Sequence, residues 1–354
     1  MAISTVRSPE RYRRLYNELA NAVRWSILET GVPPYLKQKR SSSRHLRGIL
    51  QVGISVILLV VAFRQVEWGD LRSSLAQISL PWLAAAWVLF LVGVIVRAVR
   101  WQVLLQSLDV HRPLRDLVLW YFVGGFFNVL LPTGFGGDAV RVVELSQDTQ
   151  RVGAALNSVV VDRYLGLVAL LAMGLVAGAL RPDLAPGPIL GLIGLLLAGG
   201  ILAAWLLTRP WWRNWAQRGG LATRLLRMLK LPDVAAGLSS YTSGSIVRAF
   251  LVSIIFNLLQ IFWNVMISVG LGLRLPIALY FVIVPLTAAA LLLPAFGGLG
   301  VRELSYVTLL GSAGVPQATA LAFSLSIYAI TVATGLLGGV LYFVQGLRRT
   351  RRKI

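Results

Sequence analysis

The sequence contains no cysteine and only two histidines, His45 and His111. Disulfides and thiolate metal sites are therefore excluded, and two separated imidazoles are too few for a histidine metal cluster. Acid is scarce as well, with 14 Asp and Glu against 34 Lys and Arg and a net charge of +20. Charged residues make up only 14% of the chain while 56% is hydrophobic, a balance that no ordinary soluble domain carries. Neither a nucleophile elbow, a phosphate-binding P-loop nor a zinc-binding helix occurs, so no enzyme activity, cofactor or metal is expected. The N-terminal stretch has no short apolar core followed by a small-residue cleavage site, so targeting is expected to fall to the first membrane span.

What the chain has is long apolar runs. Six of them, at 48–63, 82–100, 153–180, 188–208, 246–271 and 317–346, approach the length needed to cross a bilayer. Two more, at 117–148 and 277–312, are interrupted by proline and glycine. The runs are continuous and not alternating, which selects helices over a barrel. The fold expected is an all-α polytopic membrane protein with about six full spans and two re-entrant helical hairpins in inverted-repeat arrangement.

Arginine placement sets the orientation. Residues 1–47 hold ten Lys and Arg against Glu10, Glu18 and Glu29; the connection 209–245 holds six against Asp233; and the tail 347–354 holds five. The other connections are nearly neutral, so both termini and 209–245 are expected to be cytoplasmic, in a bacterial-type inner membrane. Cations that flank apolar runs point to anionic lipid at the inner surface and not to nucleic acid. Tyr12, Leu15, Tyr16, Leu19, Val23 and Ile27 recur at helical spacing opposite a basic face, which predicts a surface-lying helix within the basic segment 1–47. Trp211, Trp212 and Trp215, followed by Leu221, Leu225 and Leu229, predict a second one. The transmembrane domain is expected over 48–346.

The two interruptions echo each other. Pro132-Thr-Gly-Phe-Gly-Gly-Asp-Ala-Val-Arg141 is matched by Pro294-Ala-Phe-Gly-Gly-Leu-Gly-Val-Arg302, and in both an arginine follows the phenylalanine by six residues. The returning arm after the first break, 138–148, is only about half a bilayer thick, which favours a hairpin over a crossing. Three spans lie between the breaks, an odd number, so the two would enter from opposite faces and meet near the midplane. Gly136, Gly137, Gly297 and Gly298 let the backbone approach a ligand, and the restarting helix ends at Asp138 and Leu299 offer N–H groups at a positive dipole end. Arg141 and Arg302 would add bidentate hydrogen bonds to a phosphodiester. Asp138 as a simple cap, with Arg141 and Arg302 in neutralised pairs with Glu144, Glu303 or a distant acid, is the alternative.

Asp162 and Arg163 lie deep in the third span and suit a gate or coupling pair with Glu144 and Glu303, or a static salt bridge to a hairpin arginine. Asn257, Gln260 and Asn264 form one polar stripe, read either as interhelical hydrogen bonding or as the lining of a headgroup path. Arg97 and Arg100 end the second span and are expected to snorkel to the inner surface, where they could also collect anionic headgroups.

The stretch Pro132 to Arg141, then Ser158-Val-Val-Val-Asp-Arg-Tyr-Leu-Gly166, then Pro294 to Glu303 with Gly314 and Ala320 beyond, resembles a flippase-like membrane family typified by the transmembrane region of lysylphosphatidylglycerol synthase. The resemblance implies a domain that moves lipids or lipid-linked headgroups between leaflets, in some members beside an aminoacyl-transfer domain that this sequence lacks. The expectation is translocation of a phospholipid or polyprenyl-phosphate lipid, with oligomerisation left open. One rival is a non-transporting scaffold that presents lipid to a separate synthase or glycosyltransferase. The other, an intramembrane glycosyltransferase, would have to rest on Asp138, Glu144, Asp162 or Glu303.

Overall fold

The computed structural model describes residues 43–64, 66–130, 136–149, 151–184, 187–209, 240–291 and 298–351. The chain divides into residues 1–50 and a compact unit, Gln51–Ile354. Of the former only the start of the first helix is described, and the features below lie in the latter. The two surface-lying helices expected within 1–47 and 209–245 fall almost wholly outside the described residues.

Eleven helices are described and no strand among them: α1 Ser43–Arg64, α2 Trp68–Ala76, α3 Leu80–Gln106, α4 Leu114–Leu130, α5 Gly136–Thr149, α6 Val152–Leu180, α7 Gly187–Thr208, α8 Ser243–Gly270, α9 Ile277–Ala290, α10 Val301–Gly311 and α11 Gln317–Arg351. Five of these, α3, α6, α7, α8 and α11, are long and apolar enough to cross a membrane. In α7 only 6% of the most apolar stretch is buried inside the protein, so a bilayer must cover the rest. The chain is an all-α polytopic membrane protein.

Five of the six expected crossings are helices of membrane-crossing length among the described residues; of the first, expected at 48–63, the apolar stretch described is Ser55–Arg64. The connection that follows also holds an additional helix. In α2, Leu71 is buried while Asp70 and Arg72 face outward, and α2 packs on α11. Asp70, Arg72, Ser73 and Ser74 break its apolar pattern and concealed it.

Helices flanking the two breaks are short. At 14 and 11 residues, α9 and α10 extend only about 21 and 16 Å against the roughly 30 Å of a hydrocarbon core. Packing follows one scheme twice. The hairpin α4–α5 lies between α3 and α6, with α4 also against α11; the hairpin α9–α10 lies between α8 and α11, with α9 also against α6. The most extensive interface joins α3 to α8, the first helix of each set of four.

Small residues make the corresponding cross-contacts possible. A Cβ on Gly174 of α6 would stand 2.8 Å from the Phe281 carbonyl of α9, and one on Gly338 of α11 would overlap the Phe122 carbonyl of α4. Gly300, at φ +83°, starts α10 against α1, where a Cβ would stand 2.8 Å from the Ser55 carbonyl.

Candidate functional site

Asp162, 1% exposed at the middle of the α3–α4–α6–α8 packing, is the centre of an ion network. Its Oδ1 accepts from Arg100 Nε at 2.6 Å, and its Oδ2 accepts from Arg141 Nη2 at 3.0 Å and from the Tyr121 hydroxyl at 2.7 Å. Arg100 also donates to Ser253 of α8 at 3.1 Å. One carboxylate thus serves two guanidiniums drawn from α3 and α5 and takes a third hydrogen bond from tyrosine. Nearby, Trp101 donates to Ser158 at 3.0 Å, fixing α3 against α6 one residue from the ion pair. Gly166 completes the socket, since a Cβ there would meet Arg100 Nη1 at 2.6 Å.

The start of α5 is closed by its own hairpin. The Gly137 N–H donates to Asn128 Oδ1 of α4 at 2.7 Å, and a Cβ on Gly124 would stand 3.0 Å from the Gly137 backbone. This N–H, expected to be unpaired, therefore has a partner across the break. Asp138 pairs with Arg163 and, at 3.4 Å, with Arg141. Glu144 lies half-buried farther along α5. Outside the membrane the exposed Arg181–Asp183 pair, 2.8 Å apart, behaves ordinarily, its hydrogen bonds holding the Asp183 carboxyl below the usual range.

At the second break Glu303 turns back on its own helix. Its Oε2 accepts from the Gly300 N–H at 2.7 Å, the side-chain half of a capping box, and its Oε1 accepts from Arg302 Nη2 at 3.1 Å and Nε at 3.2 Å. Gly298 is a turn residue at φ +77°, while Gly297 lies outside the described residues. Arg302 stacks over Tyr328 of α11 at 5.1 Å, and on its other side a cavity of about 250 Å³ opens between α3, α8, α9 and α10.

Arg97, Gln260, Asn264, Thr287, Arg302 and Tyr306 supply the polar lining, and Phe90, Phe256 and Trp263 the aromatic wall. Asn264 is held in place, with its Nδ2 on the Gln260 carbonyl at 2.7 Å and its Oδ1 accepting from the Tyr306 hydroxyl at 3.0 Å. Asn257 turns away from the cavity and donates to the Gly166 carbonyl at 3.1 Å.

The sequence placed Arg97 and Arg100 at the inner surface, and the structure corrects both. Arg100 is 3% exposed and paired with Asp162, because α6 offers a carboxylate at its level. Arg97 lies nine residues, roughly 13 Å, before the end of α3 and has no carboxylate partner among the described residues. Its guanidinium stacks against Tyr121 at 4.9 Å and Phe256 at 5.4 Å, while its Nε is buried without a hydrogen-bond partner. Holding an arginine at membrane depth costs about 3 kcal/mol or more, and cation–π contacts return only about 0.5–2 kcal/mol each.

The expected residues therefore separate into two neighbouring groups. Asp138, Arg141, Asp162 and Arg163 form the ion network; Gln260, Asn264 and Arg302 meet in the cavity, with Glu303 behind Arg302. Tyr121 joins them, its ring facing Arg141 at 4.1 Å and Arg97 at 4.9 Å. Arg97, Arg100, Tyr121, Asn128, Ser253 and Tyr306 were missed as site residues. Each is a polar group inside an apolar run, and that is the signal that could have found them. No three His or acid side chains gather as a metal site would need among the described residues.

Residues 48–339 match the family model described as the lysylphosphatidylglycerol synthase TM region. The chain belongs to this family. The match runs through both breaks, the ion network and the cavity, so every group described above lies within the shared lysylphosphatidylglycerol synthase TM region. No curated protein matches the chain.

Proposed function

We propose that this protein translocates a phospholipid or lipid-linked headgroup between the leaflets of the inner membrane and catalyses no covalent step. The observation that carries the reading is the cavity that Arg97 and Arg302 line at membrane depth, where a guanidinium without a carboxylate calls for an anionic visitor. A lipid phosphate is the anion a bilayer supplies.

The doubled packing scheme supports a route through the site. In this reading α4–α5 and α9–α10 are re-entrant hairpins; they enter from opposite faces, as three crossings (α6, α7 and α8) lie between them. Both termini are then cytoplasmic, in keeping with the basic tail. The two halves also differ in a way that alternating access requires. Arg141 of the first hairpin is locked to Asp162 on the following span, whereas Arg302 of the second pairs only within its own helix, with Glu303, and meets a tyrosine ring on its following span beside a cavity. One half is closed and the other open. Exchange of the two arrangements would carry a headgroup across while the acyl tails stay in lipid, with Asp162 and Arg163 biasing which side is open.

Reconstitution tests this. Purified protein in vesicles containing a fluorescent phospholipid should expose the label to a membrane-impermeant quencher from both leaflets, and Arg302→Gln combined with Arg97→Gln should slow that exchange at least tenfold. Exchange equal to protein-free vesicles, together with stoichiometric copurification of a transferase, would instead establish the protein as a scaffold that presents lipid.

A further inference from the structure

The charge inventory of the cavity narrows what it can hold. Arg97 and Arg302 line it, and no carboxylate does so among the described residues. Glu303 does not stand in for one. It is 1% exposed, and its two oxygens are occupied by the Gly300 N–H and by Arg302. Glu303 thereby matches the charge of Arg302, while Arg97 has no carboxylate partner among the described residues and its Nε is buried without a hydrogen bond, so the unmatched positive charge of the cavity sits at Arg97.

Its neutral groups are specific as well. Asn264 is engaged by the Gln260 carbonyl and the Tyr306 hydroxyl, whereas the Gln260 side-chain amide, on the same lining, has no hydrogen bond among the described residues. A side-chain amide suits alcohol groups, since its N–H donates and its oxygen accepts. Size sets the remaining limit, because about 250 Å³ falls below the roughly 300–1,000 Å³ of sites for drug-sized ligands, enough for a phosphate and a few carbons but not for an oligosaccharide.

We propose that the cavity selects the head of a phosphodiester lipid that carries hydroxyl groups and no ammonium, its phosphate against Arg97 and Arg302 and its hydroxyls against Gln260. The proposal rests on the lipid-handling reading above and names its substrate class. An ammonium or aminoacyl head would bring a like charge beside the Arg97 guanidinium, which pairs with no carboxylate among the described residues, with no lining acid to receive it, and is rejected for that reason.

The test is lipid binding by the full chain in mild detergent, read by native mass spectrometry with phosphatidylglycerol, phosphatidylethanolamine and lysylphosphatidylglycerol as probes. Phosphatidylglycerol should bind at least tenfold more tightly than either ammonium-bearing lipid. Arg97→Gln and Arg302→Gln should each erase that preference, and Arg97→Lys, which keeps the charge, should retain most of it; Arg97 has no ion-pair partner to lose, so this variant folds. Equal binding of the three lipids, or a preference that survives the double Gln variant, overturns the proposal. Competition by soluble glycerophosphoglycerol as strong as by the lipid would assign the cavity to a water-soluble phosphodiester and overturn the lipid assignment. Selective binding without leaflet exchange would keep the assignment and remove the transport reading.

Discussion

Substituting Asp162 by Asn removes the single carboxylate that Arg100 and Arg141 share while leaving its shape in place. Arg141 retains Asp138 at 3.4 Å, but Arg100 is left with neutral acceptors alone, the new amide oxygen and the Ser253 hydroxyl at 3.1 Å, inside a site that is 3% exposed. Breaking a buried pair by deleting one partner costs about 3–5 kcal/mol, because the surviving charge stays buried without compensation. At about 1.4 kcal/mol per factor of ten, the ratio of folded to unfolded protein should fall roughly a hundred- to several-thousand-fold. Unfolding in mixed detergent micelles, followed by the fluorescence of the 11 tryptophans, measures this directly. Adding Arg100→Gln to Asp162→Asn should recover more than half of the loss, since the orphaned charge is gone and two amides face each other. A single variant within about 1 kcal/mol of the parent, or a double variant worse than the single, would show that Asp162 does not neutralise this site, and the reasoning would fail.

Gly174→Ala and Gly338→Ala each place a Cβ against a backbone carbonyl of the neighbouring half-length helix and should destabilise by about 1–3 kcal/mol in the same assay. Gly191→Ala, with nothing within 4 Å, should not destabilise. Asn264→Leu removes the acceptor of the buried Tyr306 hydroxyl and should cost about 1–3 kcal/mol, much of it recovered when Tyr306→Phe is added.

Helix existence was legible because apolar runs in a bilayer have few alternatives. The sequence reading began its fifth span at 246 and its second interrupted element at 277; the helices run Ser243–Gly270 and Ile277–Ala290. Facing direction was not legible. Asn257, Gln260 and Asn264 share a stripe in sequence, yet Asn257 reaches the Gly166 carbonyl while the other two line the cavity, because α6 and the second hairpin cover different lengths of one face of α8. The partner of Arg141 was weighed among several acids, and only the packing of α5 on α6 selects Asp162.

The sharpest case is the pair Arg97 and Arg100. They are separated by three residues, hence about 60° and 4.5 Å along α3, and nothing in the surrounding sequence marks one for neutralisation and the other for exposure to a cavity. The difference comes from α6, which presents a carboxylate at Asp162 and an absence of side chain one turn later at Gly166, so that Arg100 can lie flat against it. Gly166→Ala should therefore act through the ion pair. Its Cβ, 2.6 Å from Arg100 Nη1, must push the guanidinium off Asp162, at a cost of about 1–3 kcal/mol. In an Asp162→Asn background the bond it disturbs is already gone, so the alanine should add little, and the two costs should be clearly less than additive. Full additivity would mean that Gly166 serves only helix packing, and the socket it is held to complete around Arg100 would have no energetic reality.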